Sequence, residues 1–187
     1  MAEQNTQQDL REILQIRRDK LKALQDAGMN PFEITRYDVT HHAQEVKDNF
    51  DALEGQTVSL GGRLMSKRGM GKVSFCDLQD KSGRIQIYAR RDEMDEEAYN
   101  RFKKYDIGDI VGVRGEVFRT QKGEMSIRAH EITLLSKSLQ PLPEKFHGLT
   151  DTDTRYRQRY VDLIMNADSK DTCLLYTSPS PRDTERS

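Results

Sequence analysis

Hydrophobic residues change their spacing along the chain, and the first spacing predicts helices. From Thr6 to Gly28, apolar residues recur at intervals of three, four and seven, which places them on one side of a helix. The same pattern predicts a second helix from Thr40 to Gly55. We expect the basic run of the first helix to lie mostly on its solvent side: Arg17, Arg18, Lys20 and Lys22.

Between Thr57 and Ser138 the spacing changes to alternate positions, which is typical of β-strands. Short glycine-bearing links suited to hairpins separate several of these strands, and a helical segment from Asp95 to Tyr105 follows the third. The predicted strands are Thr57–Lys67, Lys72–Asp80, Arg84–Arg91, Asp109–Thr120 and Glu124–Leu135. Three strands, a helix and two strands is the order of an OB-fold, a small five-stranded barrel that commonly binds single-stranded nucleic acid.

The chain after Ser138 has a different character. Two prolines between Gln140 and Gly148 predict an extended linker, and Thr150 or Asp151 is expected to cap a further helix with Tyr156 and Tyr160 in its apolar stripe. From Cys173 to Ser187 the Ser/Pro/Arg-rich sequence continues no helical or strand pattern. This tail resembles translated sequencing-adapter contamination, and a natural disordered tail is the alternative.

Composition narrows the class of protein. Thirty basic and 31 acidic residues give a net charge of -1, so nucleic-acid binding would need a local basic face. The two cysteines have no partner at metal-ligand spacing, and His41 and His42 lack a third ligand nearby, so we expect no metal site. With no apolar run long enough to span a bilayer and no secretory signal pattern, we expect a cytoplasmic protein without a membrane partner.

Strand alternation gives the barrel an outward face with candidate binding groups. In the third strand, Gln86 and Tyr88 point away from the side of Ile85 and Ile87, and alternation in the second strand directs Phe75 outward. An outward aromatic side chain can stack on a base, and a nearby amide can add base identity. The alternative is that Phe75 is an ordinary core residue in a bulged strand and that Gln86 is a solvated amide.

The first strand is expected to add basic groups beside this aromatic side chain. Alternation places Arg63, Met65 and Lys67 on one face, where the two cations could neutralise phosphates. No catalytic constellation is found in the sequence. The acidic run from Asp92 to Glu97 fits a helix start, and the glycines Gly69 and Gly71 do not form a phosphate-binding loop.

Three segments of the sequence resemble bacterial class II lysyl-tRNA synthetases: GGRLMSKRGMGKVSFCDLQDKSGRIQIY, YDIGDIVGVRGEVFRTQKGEMSI and LQPLPEKFHGLTDTDTRYRQRYVDLI. The barrel strands are shared in looser form with the aspartyl and asparaginyl enzymes, whereas the third segment resembles the lysyl enzymes specifically. The resemblance covers roughly residues 15–172 and implies that the chain is an N-terminal fragment of such an enzyme.

The resemblance also implies the roles of individual residues. Phe75 matches the aromatic residue that stacks on the central anticodon base, Gln86 the amide that hydrogen-bonds this base, and Glu124 an acidic residue that reads a neighbouring base. The basic residues implied beside the anticodon loop of tRNA(Lys) are Lys67, Arg68, Arg63 and Arg84. The fold implied is an all-β core with flanking helices, α+β overall: a five-stranded OB-fold barrel preceded by N-terminal helices.

For the intact enzyme, the resemblance implies lysine–tRNA ligase activity through an ATP-dependent lysyl-adenylate, with Mg²⁺ as cofactor and a homodimer as the assembly. The catalytic motifs of the family would follow residue 172, so this chain is expected to be inactive, to bind neither ATP nor Mg²⁺, and to retain anticodon binding. The domains expected are a helical extension (1–55), an OB-fold domain (56–138), a linker with the start of the catalytic domain (139–172) and a non-native tail (173–187). The alternatives are a free-standing OB-fold protein that binds single strands, and a structural interaction protein.

Overall fold

The computed structural model describes residues 2–143 and 151–177, and it divides the chain into two compact units. The first unit comprises residues 1–141 and the second residues 142–187. The helices are α1 (Ala2–Asp26), α2 (Ala43–Asp48), α3 (Phe50–Leu53), α4 (Glu96–Lys103), α5 (Thr152–Arg157), α6 (Arg159–Met165) and α7 (Ala167–Thr177). The strands are β1 (Thr57–Met70), β2 (Val73–Gln79), β3 (Arg84–Arg90), β4 (Ile110–Arg119) and β5 (Met125–Ser136).

The five strands of the first unit form a closed barrel with the order β1-β2-β3-β5-β4. All neighbouring strands are antiparallel except β3 and β5, which run parallel and close the barrel. The strand predictions are confirmed to within a few residues, and so is the position of the helix between the third and fourth strands. Two of the predicted glycine links adopt tight turns, with positive φ at Gly71 and Gly123.

The core of this unit lies inside the barrel. Alternate residues of β2 and β3 point inward, so that these strands bury Cys76, Leu78, Ile85 and Ile87 to 2% exposure or less. Helices close the remaining gaps: α2 and α3 add Ala43, Val46, Phe50 and Leu53, and α4 adds Tyr99 and Phe102, both fully buried. The barrel and the helices around it therefore share a single apolar core.

Helix α1 attaches to the barrel through a charged residue as well as through its apolar stripe. Leu24 packs against the core, whereas Leu10 and Ile13 stay largely exposed. The expectation that the basic run faces solvent is wrong for Arg17. Its side chain is buried and its two terminal nitrogens donate to four oxygens, including the backbone carbonyls of Ile107 and Gln140 at 3.1 and 3.0 Å. Five guanidinium N–H groups can satisfy several carbonyls at once, which explains why burial of this arginine is tolerated.

A cluster of ion pairs lies beside Arg17. The Lys137 amino group is buried and donates to both carboxylate oxygens of Asp109 at 2.9 Å and to Asp106 at 2.5 Å. Lys20 of α1 also binds Asp106, at 2.6 Å. Burial alone would raise the pKa of Asp106, but the hydrogen bonds from Lys137 and Lys20 hold it below its ordinary value. These ion pairs therefore connect α1 to the segment that precedes β4, which carries Asp106 and Asp109, and to Lys137, which follows β5.

The second predicted helix, Thr40–Gly55, is in fact two short helices. The chain bends at Asn49, whose backbone leaves the helical region, and α2 starts only at Ala43 because His42 occupies the N-cap position. The Nδ1 atom of His42 lies 3.4 Å from Asp80. Within the described residues no cluster of three His, Cys, Asp or Glu side chains is arranged to hold a metal ion.

The second unit consists of three short helices in its described part. The predicted single helix after Asp151 is interrupted at Gln158, and Asp151 caps its start by accepting from the Thr154 amide at 2.8 Å. Asp162 is fully buried and binds Arg155 and Arg159. Tyr156 and Tyr160 are 71% and 58% exposed. Both tyrosine side chains of the predicted apolar stripe are therefore exposed to solvent.

Some predictions about the C-terminal region concern residues outside the described part. Residues 144–150 of the predicted linker and residues 178–187 of the predicted tail belong to this group. The statement that no helical pattern continues beyond Cys173 is wrong, because α7 extends through Thr177. Across the described helices, none combines the length and the apolar character that crossing a membrane requires.

Candidate nucleic-acid interface

An aromatic row crosses the outer face of the barrel. Strand pairing places Arg68 opposite Phe75, Phe75 opposite Tyr88, and Tyr88 opposite Arg128, on four neighbouring strands. Phe75 is half-buried and stands between Ser74 and Cys76, which are both buried. The interpretation of Phe75 as an ordinary core residue therefore fails, because its side chain points away from the core. Its part in binding remains a prediction.

Edge-to-face contacts hold this aromatic side chain in place. The ring centroids of Phe75 and Tyr88 are 5.2 Å apart with an interplanar angle of 62°, and those of Tyr88 and Phe118 are 5.6 Å apart at 65°. The guanidinium of Arg128 lies 4.7 Å from the Phe118 centroid. Such contacts each contribute roughly 0.5–1.5 kcal/mol beyond area burial, so Phe75 is supported from one side rather than free to rotate.

A hydrogen-bonded amide lies diagonally next to Phe75. Gln86 is two residues from Tyr88 on β3 and faces the same way. Its Nε2 atom donates to Glu124 Oε2 at 2.8 Å, and its Oε1 atom accepts from the Ser126 hydroxyl at 3.0 Å. Glu124 stands in the turn before β5, and Ser126 is the β5 residue directly opposite Gln86. The amide is therefore oriented by one partner from the neighbouring strand and one from the turn that precedes it.

Arg68 is the cation placed best to meet a phosphate near Phe75. Its side chain is exposed, and it occupies the position opposite Phe75 on β1. Arg90 and Arg128, on the same face, are engaged with the carboxylates of Asp92 and Glu93. Among the described side chains, no carboxylate lies within ion-pair distance of Arg68. Its charge therefore remains available to a ligand.

Lys67 points to the other side of the strand. A bulge at Met65 shifts the register of β1 against β2, so that Ser66 and Arg68 face outward and Lys67 pairs with the inward-facing Cys76. Its amino group donates to the carbonyls of Phe102, Lys103 and Tyr105 at 2.8–2.9 Å, at the C-terminal end of α4. Burial lowers the pKa of Lys67 to about 8. The expectation that Arg63, Met65 and Lys67 share a face is wrong because the bulge breaks the alternation.

The remaining two predicted residues lie further from Phe75. Arg63 pairs with Gln79 and donates to the carbonyl of Gly108 at 2.8 Å. Burial lowers its pKa, although Asp109 acts in the opposite direction. Arg84 is exposed on the same strand and face as Gln86, and its Nε donates to Gln79 at 2.7 Å. The structure thus brings together Phe75, Gln86, Glu124 and Arg68, with Arg84 at the margin.

The sequence reasoning missed three residues of this surface: Phe118, Ser126 and Arg128. All three come from β4 and β5, and they reach the aromatic row only because β5 pairs in parallel with β3. Alternation along β4 and β5 shows which residues face outward. It does not show which strand lies beside β3, so no local signal could have found them.

The strands that carry this surface lie in a segment that matches a known family model. Residues 58–135 match the family model described as the OB-fold nucleic acid binding domain. The lysine–tRNA ligase of Carboxydothermus hydrogenoformans is 51% identical over 168 residues, which is 90% of this chain and 34% of that protein. The lysine–tRNA ligase of Moorella thermoacetica is 53% identical over 159 residues, 85% of this chain and 32% of that protein.

The chain spans about one third of the length of these curated relatives. The matched OB-fold segment runs from the second residue of β1 to near the end of β5, and it includes both Phe75 and Gln86. Residues 58–135 therefore form an OB-fold domain, and most of the chain is similar in sequence to about one third of a lysine–tRNA ligase.

Proposed function

We propose that this chain binds the anticodon loop of a lysine tRNA through the outer face of β1, β2, β3 and β5. The observation that supports this most directly is the position of Phe75. Its aromatic side chain lies outside the core, half-buried, supported at its edge by Tyr88 and next to an amide with fixed partners. An aromatic side chain in this position provides a flat surface for an unpaired base.

The three chemical requirements of single-strand recognition are met by different residues. Stacking on Phe75 would contribute ~1–3 kcal/mol and accepts any base. Gln86 and Glu124 supply donors and acceptors for the edge of an unstacked base, which is how proteins read RNA loops. Arg68 would neutralise a phosphate without reading sequence. Affinity and specificity therefore come from separate groups on one surface.

For the intact protein we infer the activity that the names of its relatives state, ligation of lysine to tRNA. That reaction would use ATP and Mg²⁺ at residues outside this chain. The chain would supply the tRNA contact, with the intact enzyme acting as a homodimer in the cytoplasm. We expect the chain alone to be inactive in lysine activation.

The test compares RNA stem-loops at one salt concentration, because phosphate contacts make affinity salt-dependent. The lysine anticodon stem-loop should bind more tightly than a stem-loop of the same length with an unrelated loop. Phe75→Ala should weaken binding of the lysine loop by about 5- to 150-fold. Phe32→Ala is the matched control, because Phe32 is a 48% exposed residue of the turn Pro31–Glu33, outside the barrel.

Two results would contradict the proposal. Equal binding of both loops would leave only a protein that binds single strands without sequence choice. Unchanged affinity of the Phe75→Ala protein would remove the contact surface itself. Circular dichroism spectra of both variants would show that their folds are intact.

A further inference from the structure

The donor and acceptor atoms of the Gln86 amide are fixed by the chemistry of its two neighbours. An ionised carboxylate can only accept hydrogen bonds, so the amide must turn its NH₂ group, not its oxygen, toward Glu124 at 2.8 Å. The oxygen then faces the Ser126 hydroxyl, 3.0 Å away. The reverse orientation would bring two oxygens together at Glu124. The carboxylate thus selects one of the two orientations of an otherwise nearly symmetric side chain.

Burial strengthens this selection. Ser126 is fully buried, so its hydroxyl depends on protein acceptors, of which the Gln86 oxygen is the nearer and the backbone carbonyl of Glu124, at 3.5 Å, the more distant. The parallel register of β3 and β5 sets Ser126 directly opposite Gln86. The turn that carries Glu124 is itself fixed, since Thr120 and Glu124 exchange hydrogen bonds across it.

Each partner occupies one of the hydrogen-bonding sites of the Gln86 amide. Gln86 has two N–H groups and two oxygen lone pairs, and within the described residues one of each remains for a ligand. A free donor and a free acceptor in fixed order can meet two adjacent atoms on a base edge. Uracil presents an N3–H donor beside the O4 acceptor, whereas cytosine presents an N3 acceptor beside the N4 amino donor. A fixed amide therefore fits one of these pyrimidines and opposes the other.

We propose that Glu124 and Ser126 are positioning residues that hold the Gln86 amide in one orientation, and that this orientation selects uridine over cytidine at the base stacked on Phe75. The inference rests on the proposed function: the lysine codons have adenine at their second position, so the central anticodon base of a lysine tRNA is uridine, and the oriented amide must accept that base. Glu124 determines which way the amide points, and Ser126 holds it there. Glu124 and Ser126 thus contribute to the choice between two bases of the same size through the Gln86 amide, in addition to any contact that Glu124 itself makes with the RNA.

The experiment measures the ratio of dissociation constants for two stem-loops that differ only in uridine or cytidine at the centre of the anticodon. The wild-type chain should prefer uridine by about 5- to 150-fold. Glu124→Gln replaces the carboxylate by an amide that can donate or accept, so both orientations of Gln86 become possible and the ratio should approach one. Ser126→Ala should give an intermediate ratio, because Glu124 still selects the orientation.

Glu131→Gln is the matched control, since it makes the same charge change at an exposed position of β5, five residues beyond Ser126. It should retain the wild-type ratio. If Ser126→Ala does not fold, the exposed Glu124 position still decides the question. Thermal unfolding of each variant gives the comparison of stability.

The outcomes separate this inference from the proposed function. A Glu124→Gln protein that loses affinity for both loops equally, with the ratio unchanged, would overturn the inference, because Glu124 would then act only as a general contact. A wild-type chain without preference, whose binding still depends on Phe75, would also overturn it while leaving anticodon binding intact. A chain whose binding is absent or independent of Phe75 would overturn both.

Discussion

Lys67 and Arg68 are adjacent cations of β1, yet they belong to two different regions of the molecule. The amino group of Lys67 is enclosed by three carbonyls at the end of α4, whereas the guanidinium of Arg68 is exposed beside Phe75. The bulge at Met65 decides which of the two turns inward. Charge along a strand therefore says little about function until the register is known.

The same contrast holds for the wider regions around these two residues. Near α1, the charged groups are wholly or partly buried and have protein partners: Arg17, Lys20, Asp106, Asp109 and Lys137. On the outer face, Phe75, Gln86 and Tyr88 are only half-buried, and Gln86 keeps one donor and one acceptor for a ligand. The first region should therefore control stability and the second should control binding. Substitutions can test this division.

The largest effect is expected where the buried charges lie. Asp109→Ala would leave Lys137, whose side chain is 2% exposed, without its fully buried carboxylate partner. Removing one member of a buried ion pair typically costs ~3–5 kcal/mol in the free energy of unfolding. Urea unfolding followed by circular dichroism measures this. Asp92→Ala, at an exposed ion pair with Arg90, is the control and should cost less than ~1 kcal/mol.

A smaller effect is expected behind the stacking surface. Tyr88→Ala removes the edge contact that supports Phe75, so the affinity for the lysine anticodon loop should fall by about 2- to 12-fold. Tyr156→Ala, at an exposed position of α5, should leave affinity unchanged. Fluorescence anisotropy with a labelled stem-loop measures both. A drop as large as that of Phe75→Ala would mean that Tyr88 itself contacts the base.

Substitutions of Arg68 and Lys67 should affect different properties, RNA binding for the first and folding stability for the second. Arg68→Met should reduce the slope of log affinity against log salt by ~0.7, the value for one phosphate contact on a single strand. Lys67→Met should leave that slope unchanged and lower the free energy of unfolding by ~1 kcal/mol, because three carbonyls lose their donor. Titrations at several salt concentrations and urea unfolding distinguish the two. Exchanged results would contradict the division between the regions.

The smallest expected effect is on the pH at which the chain unfolds in acid. The pKa of Asp106 is held below its ordinary value in the folded chain. The ionised carboxylate therefore contributes its full stability above pH ~3.9, the pKa in the unfolded chain, and this contribution is lost as the pH falls through the folded-state pKa. Lys20→Met removes one of the two cations that cause this shift. The variant should therefore begin to unfold at a higher pH than the wild-type chain. Identical acid-unfolding curves would show that Lys137 alone sets the shift.

The sequence predicted the fold well because local rules govern most of it. Alternation located all five strands, and the turn glycines Gly71 and Gly123 do adopt positive φ. The errors lie where tertiary contacts override local pattern. The helices break at Asn49 and Gln158, which no spacing rule indicates, and Arg17 is buried because carbonyls of distant segments surround it.

The candidate site was predictable only in part, for the same reason. Alternation gave the outward direction of Phe75 and Gln86, since both stand on regular strands. It failed for Lys67, where one extra residue in the bulge reverses the faces. It could not reach Phe118, Ser126 or Arg128, because their contacts depend on which strands become neighbours.

The parallel pairing of β3 and β5 has a consequence for how the protein folds while it is being synthesised on the ribosome. The residues that orient Gln86 are separated from it by about a fifth of the chain, so a nascent polypeptide that has not yet exposed Ser126 carries Phe75 and Gln86 but no oriented amide. Long-range closure of this kind is slow relative to local structure. Discrimination between RNA loops should consequently be the last property acquired, appearing only when the final strand joins the barrel.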